Sequence, residues 1–149
     1  MRPEATLATK VRIGPEHLSD VRGEVQRSLE ASLDRLGRDS VDVLYLHSHV
    51  SMERGGTGER ESLGIQDVLG AGGVADAFDA MRSQGLIRFP GFTAAGEIGA
   101  LHQMIDSGRF DVLQAYYNLL NPSAGIAVPA GFAAQDFERL IDRAAERDV

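Results

Sequence analysis

The chain has 149 residues and a mass of 16.0 kDa, enough for one domain that buries roughly 68–70% of its unfolded surface. Fifteen Lys and Arg against 22 Asp and Glu give a formal net charge of −7, which argues against a nucleic-acid or anionic-membrane surface. Cys is absent, which excludes disulfides, thiol catalysis, zinc–thiolate sites and iron–sulfur clusters, and no apolar run nears the ~20 residues of a membrane helix.

The opening residues do not read as a signal peptide, so the expectation is a soluble, cytoplasmic protein. Ala5 to Val11 reads as a short strand. Leu18, Val21, Val25, Leu29, Leu33 and Leu36 recur at three- and four-residue steps, which marks one buried helix face. Ser19 is the expected N-cap and Gly37 the expected stop. Val41 to Leu46 is nearly all apolar, and reads as a parallel strand buried on both faces. Ser48 to Gly73 is rich in Gly, Ser and charge and reads as one long loop, residues 48–73, of functional or mobile character.

Val74, Ala77, Phe78 and Met81 form a second helix face, ended by Gly85. Leu86 to Phe92 reads as a third strand carrying Pro90, which removes an N–H and predicts a bulge or an unpaired carbonyl. Ile98, Leu101 and Ile105 mark a third helix, and Phe110 to Tyr116 a fourth strand. Phe137, Leu140, Ile141, Ala144 and Ala145 mark a fourth helix. Four strands, each followed by a helix, predict an α/β fold with a parallel sheet. In such folds the loops at the C-terminal ends of the strands carry function.

Those ends hold Lys10, His47, Thr93 and the run Gln114 to Asn118. Lys10 is either a solvated lysine or a cation near low-dielectric walls that shifts a neighbouring acid. His47 suits proton transfer or carbonyl polarisation, and with His49 forms an H-x-H pair that also suits a metal. The amide of Gln114 is expected to be buried, either paired with backbone or set beside Tyr116 as a platform for a flat heterocycle. Thr93 and Asn118 suit ligand hydrogen bonds or turns. No G-x-G-x-x-G, P-loop or G-x-S-x-G is present.

Several strings together resemble the aldo-keto reductases. They are Ala8-Thr9-Lys10, the segment Ser28 to Gly37, Val41 to His47, Gly85 to Arg88 and Asp111 to Leu120, in the family's order and spacing. The resemblance implies a (β/α)₈ barrel of the TIM type, with residues 1–149 one partial barrel domain. About four β/α units are represented, the third to sixth. It implies hydride transfer between NADPH (NADH is also compatible) and a small-molecule carbonyl or alcohol, with no metal. Lys10 and His47 would be the catalytic lysine and histidine. Thr93, Ala94, Gln114 and Tyr116 would hold the cofactor, Gln114 at the carboxamide and Tyr116 against the nicotinamide.

The chain departs from the pattern in two places. Gly91-Phe92-Thr93-Ala94 stands where the family usually has Gly-x-Ser-Asn, so one amide is lost. The family's catalytic tyrosine and aspartate have no match, since Tyr45, Tyr116 and Tyr117 do not occupy the tyrosine's place. The expectation is a chain that is inactive alone and self-associates through open strand edges. Two alternatives stand beside this reading: a non-catalytic cofactor-binding relative, and a metal-dependent hydrolase barrel using His47 and His49.

Overall fold

The computed structural model describes residues 5–55 and 61–149. Four strands form one parallel sheet: β1 (Ala8–Val11), β2 (Val41–Leu46), β5 (Ile87–Thr93) and β6 (Val112–Gln114), in that spatial order. Between β2 and β5 a short parallel pair, β3 (Val50–Ser51) and β4 (Leu63–Gly64), stands apart from the main sheet. The helices are α1 (Val21–Leu36), α2 (Ile65–Leu69), α3 (Val74–Ser83), α4 (Ile98–Asp106) and α5 (Leu140–Glu146). None among the described residues is long and apolar enough to cross a membrane.

The predicted order of strands and helices holds, and several boundaries move. A 3₁₀ turn at Pro15–His17 takes up the chain before α1, and Asp20 rather than Ser19 is the N-cap. The Asp20 carboxylate accepts the Gly23 N–H at 2.9 Å, a stronger acceptor for a helix N-terminus than a hydroxyl. Leu18 therefore lies outside the helix, and Leu36, at its last turn, is half exposed. Gly37 ends the helix at φ 60°, a conformation that needs no Cβ, and its N–H returns to the Leu33 and Asp34 carbonyls. β1 and β6 are shorter than predicted, and Ile141 and Ala145 face outward on α5.

Pro90 produces no bulge. Leu44 pairs with Pro90 and Tyr45 with Gly91 at one constant register, and the Pro90 carbonyl accepts the Asp111 N–H at 2.8 Å. β6 pairs only from Gly91 onward, so the N–H that proline lacks interrupts no ladder step there.

The segment 48–73 is not a single loop. Besides β3 and β4 it holds α2, and Gly56 and Gly58 lie outside the described residues. Elements of two and five residues are too short to show a hydrophobic period, which is why composition alone read them as loop. Asp67 on α2 accepts the Gly64 N–H at 2.9 Å and is clamped by the Arg54 guanidinium, which holds its carboxyl below the usual range despite burial. Gly96 bridges to Val50, and a Cβ there would meet the Val50 carbonyl at 1.9 Å with φ at 133°. Only glycine lets the end of β5 approach the backbone of β3 this closely.

The core lies between α1, α3 and α4 and one face of the sheet. Val11, Leu44, Leu46 and Phe92 point into it, and Phe110 meets Phe92 and Phe78 edge-on at 5.1 and 6.4 Å. Strand alternation sends the next residues to the opposite face.

Candidate active site

That opposite face is open. Lys10 stands beside Tyr45, and Tyr45 beside Gly91, in one register row. The Tyr45 ring lies over Gly91, where a Cβ would come within 2.8 Å of it. Two residues further along each strand come His47 and Thr93, and Thr93 pairs with Gln114. One groove of about 230 Å³ is lined by Lys10, His47, Thr93, Gln114, Ala115 and Tyr116. Five of those six are residues the sequence singled out. They converge because they stand at or next to the C-terminal ends of neighbouring parallel strands, with Lys10 one row below His47, Thr93 and Gln114 on the same face.

His47 is fixed from behind. Its backbone N–H reaches the Val11 carbonyl at 2.8 Å, and its Nδ1 lies 3.2 Å from the buried Thr93 Oγ1. The ring's other nitrogen is left for the groove. Partial burial, with the charges of Lys10 and Arg12 close by, holds its pKa below the usual imidazole value. The neutral ring is thus the resting form near pH 7.

Gln114 is exposed, not buried as its strand setting suggested. β6 is the outer strand of the described sheet and Gln114 is its last residue, so its amide faces the groove instead of a core. It makes no side-chain hydrogen bond to any described residue. Tyr116, half exposed, stacks on Phe137 at 6.2 Å between ring centroids and 22° between planes. The sequence did not reveal this partner, which comes from a loop 21 residues away. Ala94 is fully buried and does not line the groove. Its N–H donates to the Gln114 carbonyl at 3.0 Å and so pins the end of β6. Asn118 forms a turn, its Oδ1 accepting the Leu120 and Asn121 N–H groups.

His49 lines an adjoining hollow of about 370 Å³ with Arg12, His47, Ala95 and Tyr116. Among the described residues no group of three or more His, Asp or Glu is placed to hold a metal ion. Among those residues the H-x-H pair is not joined by the further ligands that a metallohydrolase centre takes from the protein.

The geometry can hold a flat, amide-bearing ring against Tyr116 and Gln114, and present a carbonyl oxygen to His47. The aldo/keto reductase family model matches residues 1–128. No curated protein matches the chain. Among solved structures, an aldo/keto reductase from Klebsiella pneumoniae, in complex with NADP and acetate, shares 23% identity at a TM-score of 0.55. It is matched over 84% of this chain and 37% of its own. The aldose reductase from Giardia lamblia shares 12% identity at a TM-score of 0.59, over 94% of this chain and 42% of its own. At these identities the likeness is one of fold, and the chain spans less than half the length of either structure.

Proposed function

The chain belongs to the aldo/keto reductase family, and from that premise we propose that its groove takes the nicotinamide end of NADPH or NADH. The carbonyl or alcohol of a small substrate sits beside it, with its oxygen at His47. The observation that carries this reading is the convergence of Lys10, His47, Thr93, Gln114 and Tyr116 on one groove from all four strands of the sheet.

The residues fit the group. The unpaired Gln114 amide offers a donor and an acceptor, the complement of a primary carboxamide. Tyr116, braced by Phe137, presents a flat wall of the right shape for an aromatic ring. When bound, the cofactor supplies the hydride.

The chain's own residues then do three things. The hydrogen bond between Thr93 Oγ1 and His47 Nδ1 orients the ring, and in the tautomer where Thr93 donates, His47 Nε2–H is the donor to the substrate oxygen. Lys10 adds positive potential that stabilises negative charge growing on that oxygen. With burial as the larger cause, Lys10 and Arg12 also hold the His47 pKa down, which favours the neutral ring as a directed donor at pH 7.

No tyrosine in the chain takes the place of the family's acid tyrosine. The chain by itself therefore binds cofactor and polarises the carbonyl without ordinary turnover.

Titration of NADPH, followed by its fluorescence, tests this. Saturable binding that weakens about tenfold in Gln114→Ala and in Tyr116→Ala is expected, each change removing a polar or stacking contact. Absent binding by the wild-type chain, or wild-type affinity in both variants, overturns the proposal. Carbonyl reduction at ordinary rates by the chain alone would overturn the claim about turnover.

A further inference from the structure

Arg12 enters the site so far only through its charge beside His47, and its surroundings are unusual. It lies one residue beyond β1, between Val11 and Ile13, both fully buried in the core. Two anchors fix it. The Val11 carbonyl accepts the His47 N–H at 2.8 Å. One residue on, the buried Ser48 hydroxyl accepts the Ile13 N–H and donates to the Ile13 carbonyl, both at 2.8 Å. Alternation between two buried neighbours turns the Arg12 side chain to the open face, beside His47.

The charge there runs against the molecule. In a chain of net charge −7, Lys10 and Arg12 line the two adjoining hollows, and no carboxylate among the described residues lines either. Glu16 and Glu61 line a third hollow on the far side of Arg12, and neither forms an ion pair with it. Most other arginines here are matched: Arg27, Arg54, Arg82, Arg109, Arg139, Arg143 and Arg147 all pair with Asp or Glu. Arg12 is thus anchored at its backbone, pairs with no carboxylate among the described residues, and carries its guanidinium, a planar fork suited to a carboxylate, at the reacting end of the groove.

We propose that Arg12 is a specificity residue that binds the carboxylate of an oxo-acid substrate, whose carbonyl oxygen lies at His47. The inference rests on the nicotinamide reading for its direction. Gln114 and Tyr116 hold the ring on the β6 side, so the substrate's remaining atoms extend toward β1. Adjacent strands lie about 4.8 Å apart, so Arg12 reaches an anion only a few bonds from the carbonyl. A carboxylate held there also orients the carbonyl, since two fixed points define the pose.

The experiment uses the whole chain and ¹H NMR of the His47 and His49 ring protons. The probes are 4-oxopentanoate, its neutral methyl ester, inorganic phosphate and, separately, NADPH. Saturable shifts with the oxo acid are expected, with the ester about ten- to a hundredfold weaker, as for loss of a charge-assisted bond. Arg12→Gln should bring the acid down to the level of the ester, and Arg12→Lys should restore part of the difference. NADPH binding should be unchanged in both variants.

Equal binding of acid and ester by the wild-type chain overturns the proposal. Inorganic phosphate that displaces the oxo acid at equal concentration overturns it in favour of a general anion site. A loss of NADPH affinity in Arg12→Gln as large as the loss for the oxo acid overturns it in favour of a cofactor phosphate site. If NADPH fails to bind while the oxo acid binds and depends on Arg12, the nicotinamide reading fails and the carboxylate subsite stands.

Discussion

The two faces of the parallel sheet share the same strands and carry opposite chemistry. On the helix-covered face Val11, Leu44, Leu46 and Phe92 are buried to within 1%. On the open face, one residue to either side along the strands, stand Lys10, Tyr45, His47 and Gln114, none of them fully buried. Near the C-terminal ends of the strands a step of one residue moves from one chemistry to the other, whereas lower on the open face Val41 and Val43 are buried too. The boundary between them is thin. Thr93, 4% exposed, belongs to the core by burial and to the site by its bond to His47.

This contrast can be broken from either side. The largest effect is expected on the covered face. Phe92→Ala removes a ring that meets Phe110 at 5.1 Å in a filled core, and should cost about 3–5 kcal/mol in urea unfolding followed by circular dichroism. Substitutions at the exposed groove residues Lys10 and Gln114 should leave the same transition within about 0.5 kcal/mol, as exposed positions usually do.

Ser48→Ala comes next, and it crosses the boundary. It leaves the buried Ile13 N–H and carbonyl without their partner, at a cost of about 1–3 kcal/mol. It also loosens Arg12 beside His47, so oxo-acid binding should weaken as well. Unfolding midpoints and NMR titration measured on one sample would show both, and a stability loss with unchanged oxo-acid binding would separate the two.

A smaller effect should appear in pH dependence. His47 is held below the ordinary imidazole pKa of about 6.5, so the unfolded chain binds its proton more readily. The stability tied to the neutral ring is present above pH 6.5 and is lost as pH falls below that value through the folded pKa. Lys10→Met should raise the His47 pKa measured by NMR, only partway, because burial is the larger cause. An unchanged pKa would remove Lys10 from the electrostatics of the site.

The smallest effect on stability is expected for Gln114→Ala, since the amide bonds to no described residue. Its effect should fall on NADPH affinity instead. A clear drop in the unfolding midpoint would show that Gln114 supports the fold rather than the groove.

Much of this was legible in the sequence. The run from Val41 to Leu46 is a strand because its apolar residues leave no helical period, and Leu29 and Leu33 are core because they recur on one helix face. His47 and Lys10 could be named because strand ends are visible where apolar runs stop. The small sheet of β3 and β4 was not visible, because each strand has two residues and gains its place from Gly96 against Val50. The burial of Gln114 was misjudged because a strand's period does not say whether it lies at the edge of its sheet.

By itself the amino-acid order determined which residues alternate, where each parallel strand ends, and therefore which side chains are candidates for chemistry. Only the tertiary structure decided that five of them share one groove, that Phe137 braces Tyr116, and that Ser48 holds Ile13 so that Arg12 stands unpaired beside His47. The physical reason is range. Periodicity is set by the geometry of a few consecutive residues. The groove depends on hydrogen bonds and ring contacts between residues dozens of positions apart, which exist only once the sheet has fixed its register.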